Sequence, residues 1–444
     1  MEKEVRLKAM TEAPIPGLIF KLAIPSIISM LITSFYNTAD TFFVGKINTA
    51  ATAAVGINFA FMSIIQAIGF FYGHGSGNYI SRQLGAQKEG EASIMASTAF
   101  FLAFFTGCLL AVFGCLYVEQ LALIMGSTPT ILSYAKDYLR IILLGSPIMM
   151  CALVMNNQLR FQGSAAYGMV GIASGGLLNV ALDPLLIFTM NLGISGAAYA
   201  TIISQSVSLF LLLYMSHKGG NLKIHWRNFK PTKSKCREII AGGAPSLFRQ
   251  GFGSFGTIVM NVAAGVFGDA AIAAMSIVTR LSFFAGAAMI GFGQGYQPVC
   301  GFNYGAKLYG RVREGFSFCL KFITVFTLVM SVLGYLKADA IIAIFRDDPA
   351  VIEIGTWGLQ KQAYTFALTG LVVLANMTLQ TTRNTNGAIL VAAARRGLFL
   401  IPFLLVLPRF WGIEGLVWCQ PLSDLCAFVL ALYLIRIFFA KLPK

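Results

Sequence analysis

Charge is what this sequence has least of. Only 11% of its 444 residues are Asp, Glu, Lys or Arg, where a water-soluble domain carries roughly 25%. With 57% hydrophobic residues and a mean hydropathy of +0.74, the chain cannot cover its own surface in water. Three histidines, His74, His217 and His225, are too few and too scattered for a metal site. The eight cysteines form no CxxC or Cys/His ligand spacing, and most sit in apolar runs, where a thiol is a small filler. No DxxxD pair and no nucleophile with a neighbouring base lies within those runs, which excludes a membrane enzyme. No filter-like sequence interrupts them either, which argues against a passive channel. No cofactor is expected.

What the chain has in abundance is long apolar segments, each able to cross a bilayer with about 20 residues. Twelve are expected, near 17–42, 50–73, 93–117, 134–157, 165–189, 194–216, 239–266, 270–297, 316–337, 354–377, 387–407 and 413–437; they are spans 1 to 12 below. The N-terminus begins Glu2-Lys3-Glu4, unlike a cleavable signal. The fold class expected is an all-α polytopic membrane protein in two six-helix lobes. The boundaries are an N-terminal lobe 1–216, a cytoplasmic linker 217–238 serving as hinge, and a C-terminal lobe 239–444.

The two lobes are visible as an internal repeat. At an offset of 220, Pro25-Ser26 falls on Pro245-Ser246, Gly45 on Gly265, Gly73 on Gly293, Gly85-Ala86 on Gly305-Ala306 and Pro129 on Pro349. Later the offset is 219, and Gly193-Ile194-x-Gly196 meets Gly412-Ile413-x-Gly415. Six spans per half make both halves enter the membrane in the same direction, related by an axis along its normal, an arrangement of transporters that rock two bundles about a central site.

Orientation follows from the basic residues. Residues 217–237 hold seven of them; Lys3, Arg6 and Lys8 stand at the N-terminus, and Lys441 and Lys444 in the tail. The alternate loops 117–130 and 189–195 hold none. Both termini are therefore expected in the cytoplasm, in a bacterial inner membrane, with the +15 net charge serving topology rather than nucleic-acid binding. A monomer is expected, with the bilayer and small molecules as partners.

Three acids sit deep in apolar runs: Asp40, Asp183 and Asp424. An ionisable group there costs at least ~2.5 kcal/mol, so it marks a functional path or a pair. Tyr36, four residues before Asp40, shares its helix face and could bond the carboxyl; Pro25 gives span 1 a place to bend. Asn179 and Asp183 stack at i and i+4, Pro184 frees the carbonyl of Val180, and Thr201 of span 6 could add another oxygen. Oxygen-only donors suit a hard cation such as Na⁺, or a proton carried by a buried carboxyl; the residues leave both open. Asn157 is a further candidate for cation or substrate binding. Arg280 in span 8 and Arg395-Arg396 in span 11 are deep enough to form structural ion pairs with Asp424.

These residues resemble the multidrug and toxic compound extrusion (MATE) transporters of bacteria over essentially the whole chain. The resemblance rests on Leu22-Ala23-Ile24-Pro25, on Asp40-Thr41-Phe42-Phe43-Val44-Gly45 and on the run Gly73-His74-Gly75-Ser76-Gly77-Asn78. It continues in Leu178-Asn179-Val180-Ala181-Leu182-Asp183-Pro184 and Gly193-Ile194-Ser195-Gly196. It implies export of varied, often cationic and lipophilic compounds driven by inward H⁺ or Na⁺. It also implies a cation site at Asp40, Asn179, Asp183 and Thr201, with bending of span 1 at Pro25. Spans 7 and 10 lack the interior acids some members use for a second site. The segment Leu379-Gln380-Thr381-Thr382-Arg383-Asn384 lacks the glycine usual after its glutamine. A flippase for a lipid or lipid-linked substrate is the alternative, kept in view by Arg280, Arg395 and Arg396.

Overall fold

In hydrocarbon every backbone N–H and C=O needs a partner within the segment, so long apolar runs become helices. A computed structural model describes residues 2–345 and 348–443, and among them no strand occurs. The side chains of Lys3 and Lys444, used above for orientation, lie outside the described residues. Spans 1 to 6 are Ile15–Gly45, Thr49–Gly85, Glu89–Leu116, Pro129–Phe161, Ala165–Pro184 with a π turn Leu185–Thr189, and Gly193–Ser216. Spans 7 to 9 are Lys233–Gly265, Asp269–Gly305 and Tyr309–Leu336. Span 10 is bent by 54° between Pro349–Phe366 and Thr369–Thr381. Span 11 starts at Thr385, passes a π turn at Ala394–Leu398 and enters a helical run that Gly412 (φ 58°) breaks; span 12 follows to Lys441.

By length and apolarity alone, nine described helical runs could cross a membrane, or ten with the bent pair counted as one. One of those is the 57-residue run Thr385–Lys441, which Gly412 divides in two. Among the described residues span 7, with Arg237, Glu238, Arg249 and many glycines, is the only other helix of such length, and brings the total to twelve. Several helices outrun their apolar segments, span 2 reaching Gly85 rather than residue 73, because a helix continues past the hydrocarbon wherever its end is capped.

The chain divides into one unit of Met1–Gly243 with Gly301–Lys307 and another of Ala244–Cys300 with Leu308–Lys444. In the first, glycines every fourth residue bring span 2 against span 4. Gly69 abuts Leu153, Gly73 abuts Asn157 and Gly77 abuts Phe161, the small-residue spacing that lets membrane helices approach closely. The segment 217–238 is hydrogen-bonded along its length. Leu222 N donates to Gln162 Oε1 (2.7 Å), His225 N to Ser97 Oγ (3.1 Å) and Lys230 N to Thr98 Oγ1 (3.1 Å). Trp226 and Phe229 stack on each other and meet Phe101 edge-on, while Arg82 pairs with Glu238 at 3.0 Å and Lys235 with Glu91. Backbone groups that no helix satisfies found side-chain partners on spans 3 and 4, and this pins the segment.

The repeat extends to backbone detail. Gln87 and Lys307 (φ 59° and 62°), Gly163 and Arg383 (82° and 65°), and Gly193 and Gly412 (55° and 58°) are all left-handed at matched positions. Asn156 Nδ2 donates to Gly168 O (3.0 Å) and Asn376 Nδ2 to Ala388 O (2.7 Å), one bridge made twice at an offset of 220. Arg383 thus holds a left-handed turn that the first half gives to glycine. Gly163→Ala is expected to cost about 1–2 kcal/mol, the penalty for a Cβ in that region, with Met10 Sδ only 3.2 Å from the new atom. Thermal unfolding in detergent would read it, and an unchanged midpoint would remove the argument.

Candidate functional site

Span 5 is thinned where it must approach two neighbours. A Cβ on Gly175 would meet Ser208 Cβ at 2.9 Å and Ser204 O at 3.0 Å, and one on Gly176 would meet Ile32 Cγ2 at 2.8 Å and Tyr36 Cδ1 at 3.1 Å. Two adjacent glycines therefore let span 6 close on one side and span 1 on the other. One turn further along span 5 stand Asn179 and then Asp183, with 2% and 0% of their surface exposed; Asp40 (8%) and Thr201 (5%) are likewise buried.

Asp183 is the last acid before Pro184 ends the regular helix and the chain widens into its π turn, where Met190 N reaches back to Leu185 O. The two carboxylates feel each other's charge. Asn179 Nδ2 donates to Asp183 Oδ1 at a long 3.5 Å. Asp40 Oδ1, Asp183 Oδ2, Asn179 Oδ1 and Ser204 Oγ have no protein hydrogen-bond partner. The first three are acceptors, and buried acceptors without donors are costly. Such a set fits a proton or a hard cation; Asp40, Asn179, Asp183 and Thr201 are the residues that would hold it. Among the described residues no group of three or more His, Cys, Asp or Glu could hold a metal.

Tyr36 does not play the part expected of it. Its hydroxyl lies within electrostatic range of Asp40 and within hydrogen-bonding range of Gln205, and Asp40 Oδ1 accepts no bond from it. Helical side chains lean towards the N-terminus, so the ring carries its hydroxyl away from residue 40. Tyr138 of span 4 was not singled out from the sequence. It is fully buried, within electrostatic range of both acids and in hydrogen-bonding range of Thr201, and its hydroxyl also meets Met62 Sδ at 3.6 Å. A lone tyrosine in an apolar run carries no sequence signal for this.

Asn157 is not part of the cluster. It accepts from Arg160 Nη2 at 2.6 Å and donates to Leu153 O at 2.7 Å. Nineteen residues of continuous helix, about 28 Å, separate it from Tyr138. Pro25 lies within an unbroken span 1, but hydroxyls soften that helix: Ser26 Oγ bonds Leu22 O, Ser29 Oγ bonds Pro25 O and Thr33 Oγ1 bonds Ser29 O, each at 2.9 Å. Such bonds compete with the helix ladder and favour bending.

In the second unit Asp424, fully buried, takes Arg395 in a forked pair, Nε to Oδ1 at 2.7 Å and Nη2 to Oδ2 at 3.4 Å. Gln420 Nε2 also donates to Oδ1 (2.7 Å) and Ser423 Oγ to Arg395 O (2.6 Å). The expectation of three arginines on this acid is therefore corrected to one. Arg395 and Gln420 use the carboxylate's favourable directions, Arg396 is left without an ion pair among the described residues, and Arg280 is exposed.

Gly176→Val is expected to push span 1 off span 5 and lower gradient-driven transport by about tenfold, since a site held an ångström too loosely loses function. Transport by cells matched for membrane-inserted protein tests this, and wild-type rates would show that the close approach is dispensable.

Two repeated six-helix halves with ionisable groups inside the spans define a polytopic membrane transporter. The MatE family model matches residues 25–185 and again 245–406, once for each half of the repeat, so the chain belongs to the MATE family of transporters, which are not enzymes. It is 28% identical over 436 residues to the multidrug export protein MepA of Staphylococcus haemolyticus, covering 98% of this chain and 96% of that protein. To MepA of Staphylococcus aureus it is 26% identical over 439 residues, covering 98% and 97%. Among solved structures it resembles a MOP-superfamily transporter from Pyrococcus furiosus (TM-score 0.91, 22% identity, 99% and 98% covered). It also resembles an outward-facing multidrug-resistance MATE transporter (0.89, 24%, 96% of each). At these identities the structural likeness speaks for the fold.

Proposed function

We propose that this protein is a secondary active efflux antiporter, exporting lipophilic, often cationic compounds in exchange for inward H⁺ or Na⁺. The carrying observation is the set of buried, unpartnered oxygens of Asp40, Asn179 and Asp183. The name of the staphylococcal relatives, multidrug export protein, supports the direction and breadth of transport. In this reading both termini face the cytoplasm of a bacterial inner membrane, the protein acts as a monomer, and lobes 1–216 and 239–444 alternate about a central pathway.

Cation entry needs to favour only one conformation over the other to turn the cycle. A cation or proton seated between Asp40 and Asp183 cancels their mutual repulsion and lets spans 1 and 5 draw together. Tyr138 and Thr201 hold the rim of that seat, Gln205 holds Tyr36 aside, and the softened stretch around Pro25 absorbs the movement as a bend. When the cation leaves on the inner side, the repulsion returns and resets the pair.

Reconstitution into vesicles separates the coupling ions. Efflux of an ethidium-like cation driven by an imposed ΔpH identifies H⁺, and efflux driven by a Na⁺ gradient identifies Na⁺. Efflux that ignores both gradients would falsify antiport.

A further inference from the structure

The second unit has the opposite polarity to the acid cluster. Four arginines lie well inside its spans, Arg249, Arg280, Arg395 and Arg396, against one acid at that depth, Asp424. Arg395 occupies Asp424. Arg249 is held by neutral groups only, Asn376 Oδ1 at 3.0 Å and Ser246 Oγ at 3.5 Å, and Gln380 in turn donates to Ser246 Oγ at 2.8 Å. Arg396 feels the charge of Asp424 but makes no ion pair or side-chain hydrogen bond among the described residues. A guanidinium at membrane depth without an anion is costly, and such groups face polar space or a partner.

The place of Arg396 is specific. On span 7, Arg249 and Gly253 are one turn apart on one face. A Cβ at Gly253 would meet only Arg396 Cδ and Nη1, both at 4.0 Å. Gly256 abuts Arg396 O at 2.6 Å and Phe252 packs on Gly397. The backbone of span 11 is therefore clamped to span 7, while the guanidinium lies over an unfilled glycine face. Five N–H donors in a rigid fork match the oxygens of a carboxylate or phosphate.

We propose that Arg396, over the open face of span 7 at Gly253 and with Arg249 a turn below, forms an anion-accepting subsite. Its ligand class is the carboxylate or phosphate of an amphiphile, carried by a lipid headgroup or by a soluble compound. This rests on the transporter reading above and deepens it. The substrates extend to zwitterionic and anionic amphiphiles, whose anionic group docks in the second unit.

The test uses the full chain in phosphatidylcholine nanodiscs and two dansyl-labelled alkyl probes of equal length, one ending in a carboxylate and one in a trimethylammonium. Arg396→Gln is expected to weaken the carboxylate probe by about tenfold or more, the worth of a charge-assisted hydrogen bond, and to leave the ammonium probe within about twofold. Arg396→Lys should recover part of the loss. Gly253→Val, which fills the open face without touching charge, should reproduce it. Adding phosphatidylglycerol distinguishes the sources: displacement of the carboxylate probe assigns a lipid phosphate, and undiminished binding assigns a soluble amphiphile. Equal carboxylate affinity in wild type and Arg396→Gln overturns the subsite, as does equal loss of both probes. Carboxylate binding that depends on Arg396 in a protein showing no gradient-driven efflux would leave the subsite standing and the antiport reading refuted.

Discussion

Asp40→Asn and Asp183→Asn are each expected to abolish gradient-driven export while the protein still reaches the membrane at normal levels. The amide matches the carboxylate in shape, so the packing of spans 1, 4, 5 and 6 is kept. Burying a neutral amide also costs less than burying a charge, so neither variant should be poorly folded. What is lost is the difference in cation affinity between the two conformations. Moving a two-state equilibrium from 1:99 to 99:1 takes about a 10⁴-fold difference in affinity, and a site reduced to one of its two carboxylates no longer has the pair whose repulsion the cation relieves. Efflux from vesicles under ΔpH and under a Na⁺ gradient, normalised to inserted protein, measures the result. Full export by either variant would sink the proposed coupling site. Tyr138→Phe is a useful companion, since it removes the hydroxyl beside Thr201 without touching either acid.

Breaking the Arg395–Asp424 pair should have the largest effect on stability. Arg395→Met leaves a fully buried carboxylate with only Gln420 as donor, and stranding one member of a buried pair costs about 3–5 kcal/mol. Removing both charges with Arg395→Met and Asp424→Leu should restore most of that loss. The recovery should fall about 1–3 kcal/mol short, because Gln420 Nε2 loses its carboxylate acceptor and is left part-buried without a partner, whereas Ser423 keeps the backbone oxygen of residue 395. Thermal unfolding of the single and double variants in one detergent gives the comparison. If the double variant is no better than Arg395→Met alone, the pair is not what holds span 11 to span 12.

Much of the architecture was legible in the chain because membrane insertion is a one-dimensional problem. Apolar length sets the spans, and the constant offset between Pro25 and Pro245 or Gly85 and Gly305 reveals the two halves. The acids Asp40, Asp183 and Asp424 stood out because charge is so expensive at that depth. The i, i+4 spacing of Asn179 and Asp183 already put them on one face. The contacts that hold 217–238 were not legible, because its polar composition says nothing of Ser97 and Thr98 on span 3 or of Gln162 just past span 4. Tyr36 was misdirected because spacing along a helix fixes the face but not the lean of a long side chain.

By itself, then, the sequence determined a two-fold repeated helical membrane protein with a few buried charges, since composition and periodicity answer to the bilayer alone. Only the tertiary structure decided the company those charges keep. It gave Asp424 to Arg395 and not to Arg280 or Arg396, drew Tyr138 to the acids and kept Asn157 away. Those choices depend on which helices the glycines at 69, 73, 77, 175 and 176 let come close, and on which partner reaches a carboxylate oxygen first. They are set in three dimensions, where a single Cβ more or less changes the distance between helices.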